Sequence, residues 1–392
     1  MVPSADPLYF MIKVGRMNEV TPVAVTIAML TYRRPAEVIG GLPLIIDQAT
    51  AVNQGGLRLA GQNAGITEAD QGSPVTTFRV EVLVVDNDPA GSARGTVETI
   101  VTKTAGASVS GSPLVRYVME RAPGISAARN RAMDEAAGSS LLVFIDDDER
   151  PLPNWLASLL DTWDRHRAAA VSGLVISIFE RELDPWISAG EFFRRFSMPT
   201  GTAIDVAAAG NLLLDLNQVR RWGTRFENAF GLSGGEDTLF SRTLVNHGAR
   251  MVWCEESRAT ESVPTDRMTR DWVRKRSRSH GNSVALIDAR LARTSRAVVE
   301  VRAWNLGRGG ARMVLGGARY LAGLVLRSDR HQARGMRILW RGTGMVSGAL
   351  GLIYQEYARG NDRRWQFARQ PPRGKVANTN ADHSSLPDGG QP

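Results

Sequence analysis

Four mainly apolar runs punctuate the first 150 positions, and three of them end abruptly at charged residues. VAVTIAML (Val23 to Leu30) runs into TYRRP, and VEVLVVDND (Val80 to Asp88) ends in carboxylates. LVRYVME spans Leu114 to Glu120, and LLVFI (Leu141 to Ile145) runs straight into DDDERP. Apolar runs of this length predict strands buried on both faces of a parallel sheet. Between the third and fourth lies PGISAARNRAMDEAAG, where Ser126 predicts an N-cap, an alanine-rich helix follows, and Gly138 suits its C′ position. This alternation predicts a doubly wound α/β layer. Ligands bind such layers at the carboxyl ends of the strands. Thr31–Arg34, Asp86–Asp88 and Asp146–Asp148 all sit at those ends, so they are expected to converge on one crevice.

The remaining pattern is less regular. Pro35 suits the first turn of a helix, which Gly40, Gly41 and Pro43 are expected to break or kink. Asn53 to Thr77, rich in Gly, Gln, Asn, Ser and Thr, predicts an inserted loop. Further strands are expected over Ala169–Phe179, Asp205–Leu216 and Ala249–Ser257, with an aromatic-rich segment (Trp186, Phe192, Phe193, Phe196) between the first two. GLSGGEDTLFSRTLVNHG predicts a glycine-rich loop entering a helix that Gly248 ends, and RDWVRKRSRSHGN a basic helix. ARMVLGGARYLAGLVLR and MRILWRGTGMVSGALGLIYQEY predict two apolar, arginine-edged helices separated by SDRHQARG. The composition divides the chain into a loose arm (1–20), an α/β domain (21–290), a basic helical extension (291–359) and a disordered tail (360–392).

Charge sharpens this division. The net charge is +8, yet Arg290 to Lys375 holds 18 Arg and Lys against 4 Asp and Glu, which leaves the rest of the chain net negative. The basic part is therefore expected to meet something anionic. One cysteine, Cys254, excludes an intramolecular disulfide and a cysteine-based metal cluster. Neither a secretion signal nor an 18-residue apolar span is recognisable, so a cytoplasmic protein, or one on the cytoplasmic face of the inner membrane, is expected. The basic helices read either as a subdomain packed on the α/β layer or as an interfacial hairpin on an anionic membrane. Nucleic acid is not expected as a partner, because no recognition module surrounds the basic pieces.

The chemistry starts at Asp146, Asp147 and Asp148. Adjacent carboxylates repel and raise one another's pKa unless a cation sits among them. Asp and water oxygens suit Mg²⁺ or Mn²⁺, usually together with substrate phosphates; a turn cap is the plainer alternative. Asp86 and Asn87 read either as an acceptor–donor pair for a base edge or as an Asx turn. GISAARN offers backbone N–H groups at a helix start, with Arg129 and Asn130 in its first turn. In GGEDTLF, Gly234 and Gly235 allow close backbone approach, and Glu236 and Asp237 open a helix.

Taken in order, TYRRP, VVDND, GISAARN, FIDDDERP, AAAGNLLLDL and SGGEDTLF resemble the family 2 glycosyltransferases of the GT-A fold, over about Val23 to Asn282. Their bacterial exopolysaccharide, succinoglycan-type branch is the most similar. The resemblance implies a Rossmann-like α/β fold, a mixed and mostly parallel sheet flanked by helices, with the C-terminal helices as a membrane-associating extension. It implies an inverting, metal-dependent transfer of one sugar from a nucleotide-diphosphate sugar, UDP-linked, to a lipid-linked saccharide. Thr31, Tyr32, Arg33, Asp86, Asn87, Arg129, Asn130 and Asp146 would then contact the donor nucleotide. Asp148, helped by Asp146, would hold the divalent cation, Asp237 would be the base and Glu236 its orienting partner. Asn211, Gly234 and Gly235 would face the acceptor. The Q-x-x-R-W signature of processive synthases is absent, so one sugar per encounter is expected. A sugar nucleotidyltransferase and a non-catalytic polysaccharide- or membrane-binding protein are the alternatives; TYRRPAEVIGG is a poor match to the glycine-rich basic loop that the first requires.

Overall fold

The computed structural model describes residues 21–55, 76–106, 109–355 and 365–367. The expected arm, most of the inserted loop and most of the tail lie outside the described residues. β1 (Val23–Thr31), β2 (Phe78–Asp86), β3 (Val115–Met119), β4 (Leu141–Asp146), β5 (Glu149–Pro151), β6 (Ala170–Phe179), β7 (Leu212–Asp215) and β8 (Met251–Val263) share one sheet. Their order is β3-β2-β1-β4-β7-β6-β8-β5. β1 runs parallel to β2 and β4, β2 to β3, and β6 to β8. β7 is antiparallel to both β4 and β6 and joins the two parallel halves.

The unbroken apolar runs arise because both faces of the central strands are covered. Ile27, Met29, Val82, Val84, Val143 and Ile145 pack under α1 (Pro35–Asn53), α2 (Arg94–Gly106) and α4 (Trp155–His166). Alternate residues Ala28, Leu30, Leu83, Val85, Leu142 and Phe144 pack under α3 (Ile125–Glu135), α6 (Leu216–Arg221) and α7 (Glu236–Asn246).

Three local expectations change. α1 runs unbroken for 19 residues through Gly40, Gly41 and Pro43. Its buried face supplies what propensity withholds, and its glycines make room for neighbours: a Cβ at Gly40 would lie 2.7 Å from Arg150 Nη2, and one at Gly41 2.8 Å from Met29 Cε. α3 is not capped by Ser126; its N-cap is Gly124 at φ +112, packed on the backbone of Gly231. The strand expected from Asp205 begins only at Leu212; Gly210, just before it, sits so close to Glu149 that a Cβ there would have no room.

Beyond the sheet come α8 (Arg270–Leu291), α9 (Ser295–Val325) and α10 (Asp329–Ala349). Thr269, Thr294 and Ser328 cap them, each accepting from an N–H in the first turn; the Thr294 cap starts α9 well before the expected Ala311. α10 lies between α8 and α9, and glycine permits both contacts. A Cβ at Gly316 would sit 2.5 Å from Leu339 N, and one at Gly348 2.6 Å from Asn282 O. α10 also packs through Ala333, Met336 and Trp340 on Trp186 and Ile187 of α5 (Pro185–Gly190). The second apolar helix was expected to reach Tyr357, but it ends at Ala349. Gly351 turns at φ +83, and β9 (Leu352–Tyr354) pairs with β10 (Trp365–Phe367), a strand inside the tail expected to be disordered.

Candidate active site

Register brings the polar strand ends together. Thr31 lies opposite Asp86, and Leu30 opposite Asp146. The cations that the three aspartates require are arginines from three directions. Arg34 Nη1 donates to Asp147 Oδ1 at 3.1 Å and to Asp148 Oδ2 at 2.9 Å. Arg267, in the turn after β8, comes to 4.0 Å from Asp148 Oδ2. Arg129 Nη2 lies 3.8 Å from Asp146 Oδ1. Asp147 is buried, and Thr31 donates to its Oδ2 at 2.8 Å.

Arg129 is the centre of the arrangement. It is 5% exposed, lies over the Phe226 ring at 5.5 Å and forms an ion pair with the buried Glu236. One guanidinium thus ties the acidic end of β4 to the acidic start of α7. Glu236 and Asp237 reach this position through two successive left-handed residues, Gly234 at φ +80 and Gly235 at φ +88. A side chain there would be strained, and a Cβ at Gly235 would press on Ser283 at 3.0 Å. The two glycines therefore shape the α7 entrance. Asp237 stays partly exposed; Thr238 N donates to its Oδ1 at 2.6 Å.

Like charge is concentrated around Asp146. Burial pushes its carboxyl up to about 7, Arg129 opposes the rise, and Asp148, Asp147 and Glu261 add to it. Glu149, buried beneath, is raised well above the usual range by burial and then by Asp146, Asp148 and Glu261. Burial also raises Glu236, against the pull of Arg129. Among the described residues no group of three or more His, Cys, Asp or Glu could hold a metal alone. Asp146 and Asp148 offer two hard oxygen ligands, and a cation such as Mg²⁺ completes its shell with water and substrate phosphate. The donor set fits a cation that arrives with a diphosphate.

Several expected contacts are occupied by the scaffold. Asp86 is fully buried, accepting from Asp88 N, Ala93 N and the Tyr117 hydroxyl, each at 2.9 Å. It anchors a turn and is not placed to read a base edge. Asn87 donates to Glu120 O and Ala122 O and accepts from Gly124 N. Ile125 N donates to Gly231 O, so the start of α3 uses these N–H groups internally rather than for phosphate. Asn130 closes a pair of hydrogen bonds with the Phe226 backbone. Asn211, 1% exposed, accepts from Trp155 Nε1 at 2.9 Å and donates to Ser257 O at 3.1 Å, which removes it from any acceptor-facing surface. At the rim, Arg33 turns at φ +55, lies over Tyr32 at 5.2 Å and approaches Asp88 at 3.4 Å. Glu149, Glu261 and Arg267 were not singled out from the sequence, and Arg34 was placed at the crevice without a role of its own. Arg34 and Glu149 sit inside quoted motifs, whereas nothing in the chain marks Arg267.

The model of the Glycosyl transferase family 2 matches residues 68–214. Succinoglycan biosynthesis protein ExoM of Rhizobium meliloti (strain 1021) is 31% identical over 278 residues, which is 70% of this chain and 84% of that protein. The chain belongs to glycosyltransferase family 2. The mannosyltransferase PcManGT from Pyrobaculum calidifontis, solved with GDP-Man and Mn²⁺, superposes with a TM-score of 0.51 at 15% identity, covering 84% of this chain and 89% of that one. The sheet and its flanking helices are those of the GT-A fold. The protein is a glycosyltransferase, and the nucleotidyltransferase and non-catalytic alternatives fall away.

Proposed function

We propose that this family 2 glycosyltransferase moves one hexose from a UDP-sugar to a hydroxyl of a lipid-linked saccharide, with inversion, in exopolysaccharide assembly. The observation that carries the reading is Arg129, which holds the Asp146 end of β4 and the Glu236–Asp237 turn in one cleft. ExoM is a succinoglycan biosynthesis protein, which supports the exopolysaccharide setting, and PcManGT was solved with GDP-Man and Mn²⁺, which supports a nucleotide-sugar donor in general.

Asp148 and Asp146 are the residues to hold a divalent cation, whose chemistry is to neutralise charge gathering on the leaving diphosphate. Arg34 and Arg267 flank Asp148 and add positive charge beside the same group. Asp237 accepts the proton of the acceptor hydroxyl as that oxygen attacks the anomeric carbon from the face opposite the departing nucleoside diphosphate. The C–O bond to the diphosphate breaks as the new C–O bond forms, and a single displacement inverts the centre. Thr31, Tyr32 and Arg33 form the rim on the nucleoside side. Asp237→Asn is expected to lower turnover about 10²–10⁴-fold while donor still stabilises the protein against heat. Asp148→Ala is expected to lose the Mn²⁺-dependent part of that stabilisation. Full turnover in Asp237→Asn overturns the assignment.

The same reading places the protein on an anionic membrane, at the cytoplasmic face. Among the described residues no helix is long and apolar enough to cross a membrane. Support comes from the outer face of α9, where Trp304, Val314, Leu315, Leu321 and Val325 are exposed. Arg308, Arg312 and Arg319 follow one flank of that face at helical spacing.

A further inference from the structure

Two hollows have one lining residue in common. The first, about 490 Å³, is lined by Arg181–Pro185, Ile187 and Met268–Arg270. It begins one residue beyond Arg267, the arginine that approaches Asp148. The second, about 380 Å³, is bounded by Trp186, Arg270, Tyr320, Gln332 and Trp340, with Arg274 and Asp271 at its edge. Arg270 is the shared wall. It lies over the Trp186 indole at 5.0 Å and donates to both oxygens of Asp184, at 3.1 and 3.2 Å.

The lining chemistry is specific. Indole and phenol faces present flat apolar surface, which matches the C–H face of a pyranose ring. Planar polar groups, the Arg270–Asp184 pair, the Arg274–Asp271 pair and the Gln332 amide, line the same hollows and can pair with hydroxyls. Each of these arginines has a carboxylate partner, so the trough is close to neutral and suits a polyol rather than a phosphate. Tyr320 belongs to α9 and Trp340 to α10, so the C-terminal helices complete a hollow that the α/β domain alone would leave open.

We propose that these two hollows, adjoining at Arg270, form the subsite for the neutral saccharide of the acceptor, with Trp340 and Tyr320 as stacking platforms. The proposal rests on the glycosyl-transfer reading above and extends it. It assigns the aromatic segment and the helical extension a part in acceptor recognition. The saccharide would extend from the Arg267 side of the cleft, past Arg270, to Tyr320 of α9.

The test uses the full-length protein, a panel of radiolabelled UDP-hexoses and a solvent extract of membranes from polysaccharide-producing cells as acceptor. Label transferred to the extract is measured beside donor hydrolysis by water. Trp340→Ala and Gln332→Ala are each expected to raise the half-saturating amount of extract about tenfold, the scale of one lost aromatic or polar contact. Donor hydrolysis and turnover at saturating extract are expected to hold, and Trp340→Phe to restore most of the loss. Unchanged half-saturation in both variants overturns the proposal. So does a parallel fall in hydrolysis that Trp340→Phe does not rescue, which marks a packing role. Wild-type hydrolysis without any transfer to the extract overturns both the trough and the lipid-linked acceptor. Absence of hydrolysis and transfer with every UDP-hexose overturns the donor assignment instead.

Discussion

Arg129 shows what one side chain decides in this protein. A guanidinium this deeply buried needs carboxylates, and it has Glu236 in contact and Asp146 nearby. Removing one partner of a buried ion pair leaves the other unneutralised, at about 3–5 kcal/mol. Arg129→Met is therefore expected to lower the thermal midpoint by many degrees and to abolish transfer. Arg129→Met with Glu236→Gln is expected to recover much of the stability without the activity, and a double-mutant cycle followed by thermal melts checks this. The sequence signalled Arg129 only as a phosphate contact at a helix start. That helix start is closed by Gly231 and Asn87, and the arginine instead joins two acidic motifs, at Asp146 and Glu236, about ninety residues apart in the chain. Asp86 and Asn211 carry the same lesson in reverse. Both sit within recognisable motifs, yet both are buried with their polar atoms satisfied, so proximity to a site in sequence did not make them part of its surface.

At the scale of elements, the glycines of α9 and α10 do most to explain the extension. They permit helix backbones to approach closely, with Gly309, Gly316 and Gly323 of α9 buried against α10. A side chain at such a position has no free volume to enter. Gly316→Val, whose Cβ would meet Leu339 N at 2.5 Å and Gly335 O at 2.7 Å, is expected to separate the two helices. Hydrogen exchange should then show α9 amides losing protection while β1, β2 and β4 keep theirs. Gly317 serves as the control, since a Cβ there would meet only Leu339 Cδ1 at 3.9 Å. The apolar strands, the basic helix and the paired C-terminal helices were legible as elements because each carries its own periodicity and caps. The short β7 was not, since its extent is set by pairing with β4 and β6 and not by local pattern.

Across the whole molecule, two readings of the C-terminal helices prove compatible. α10 packs on α5 and α8 as part of the folded body, while α9 keeps an apolar face outward beside arginines. Burial of that face in an anionic bilayer is expected to combine apolar insertion with attraction of about 1 kcal/mol per arginine near the surface. Leu315→Glu with Leu321→Glu is expected to release the protein from vesicles containing phosphatidylglycerol without altering donor hydrolysis. Raised salt should weaken wild-type binding by screening. Vesicle sedimentation that is insensitive to both changes would remove the membrane from the account.

By itself, the chain determined the buried strands, the order of the acidic motifs along them and the separation of an acidic first part from a basic extension. These follow from apolar run length, turn chemistry and charge, all properties of neighbours in sequence. Only the tertiary structure decided which carboxylates share a cleft, which arginines neutralise them and which motif residues are consumed by the scaffold. Those choices depend on strand register and on contacts between segments more than a hundred residues apart, where direction and burial are set by packing and leave no local trace.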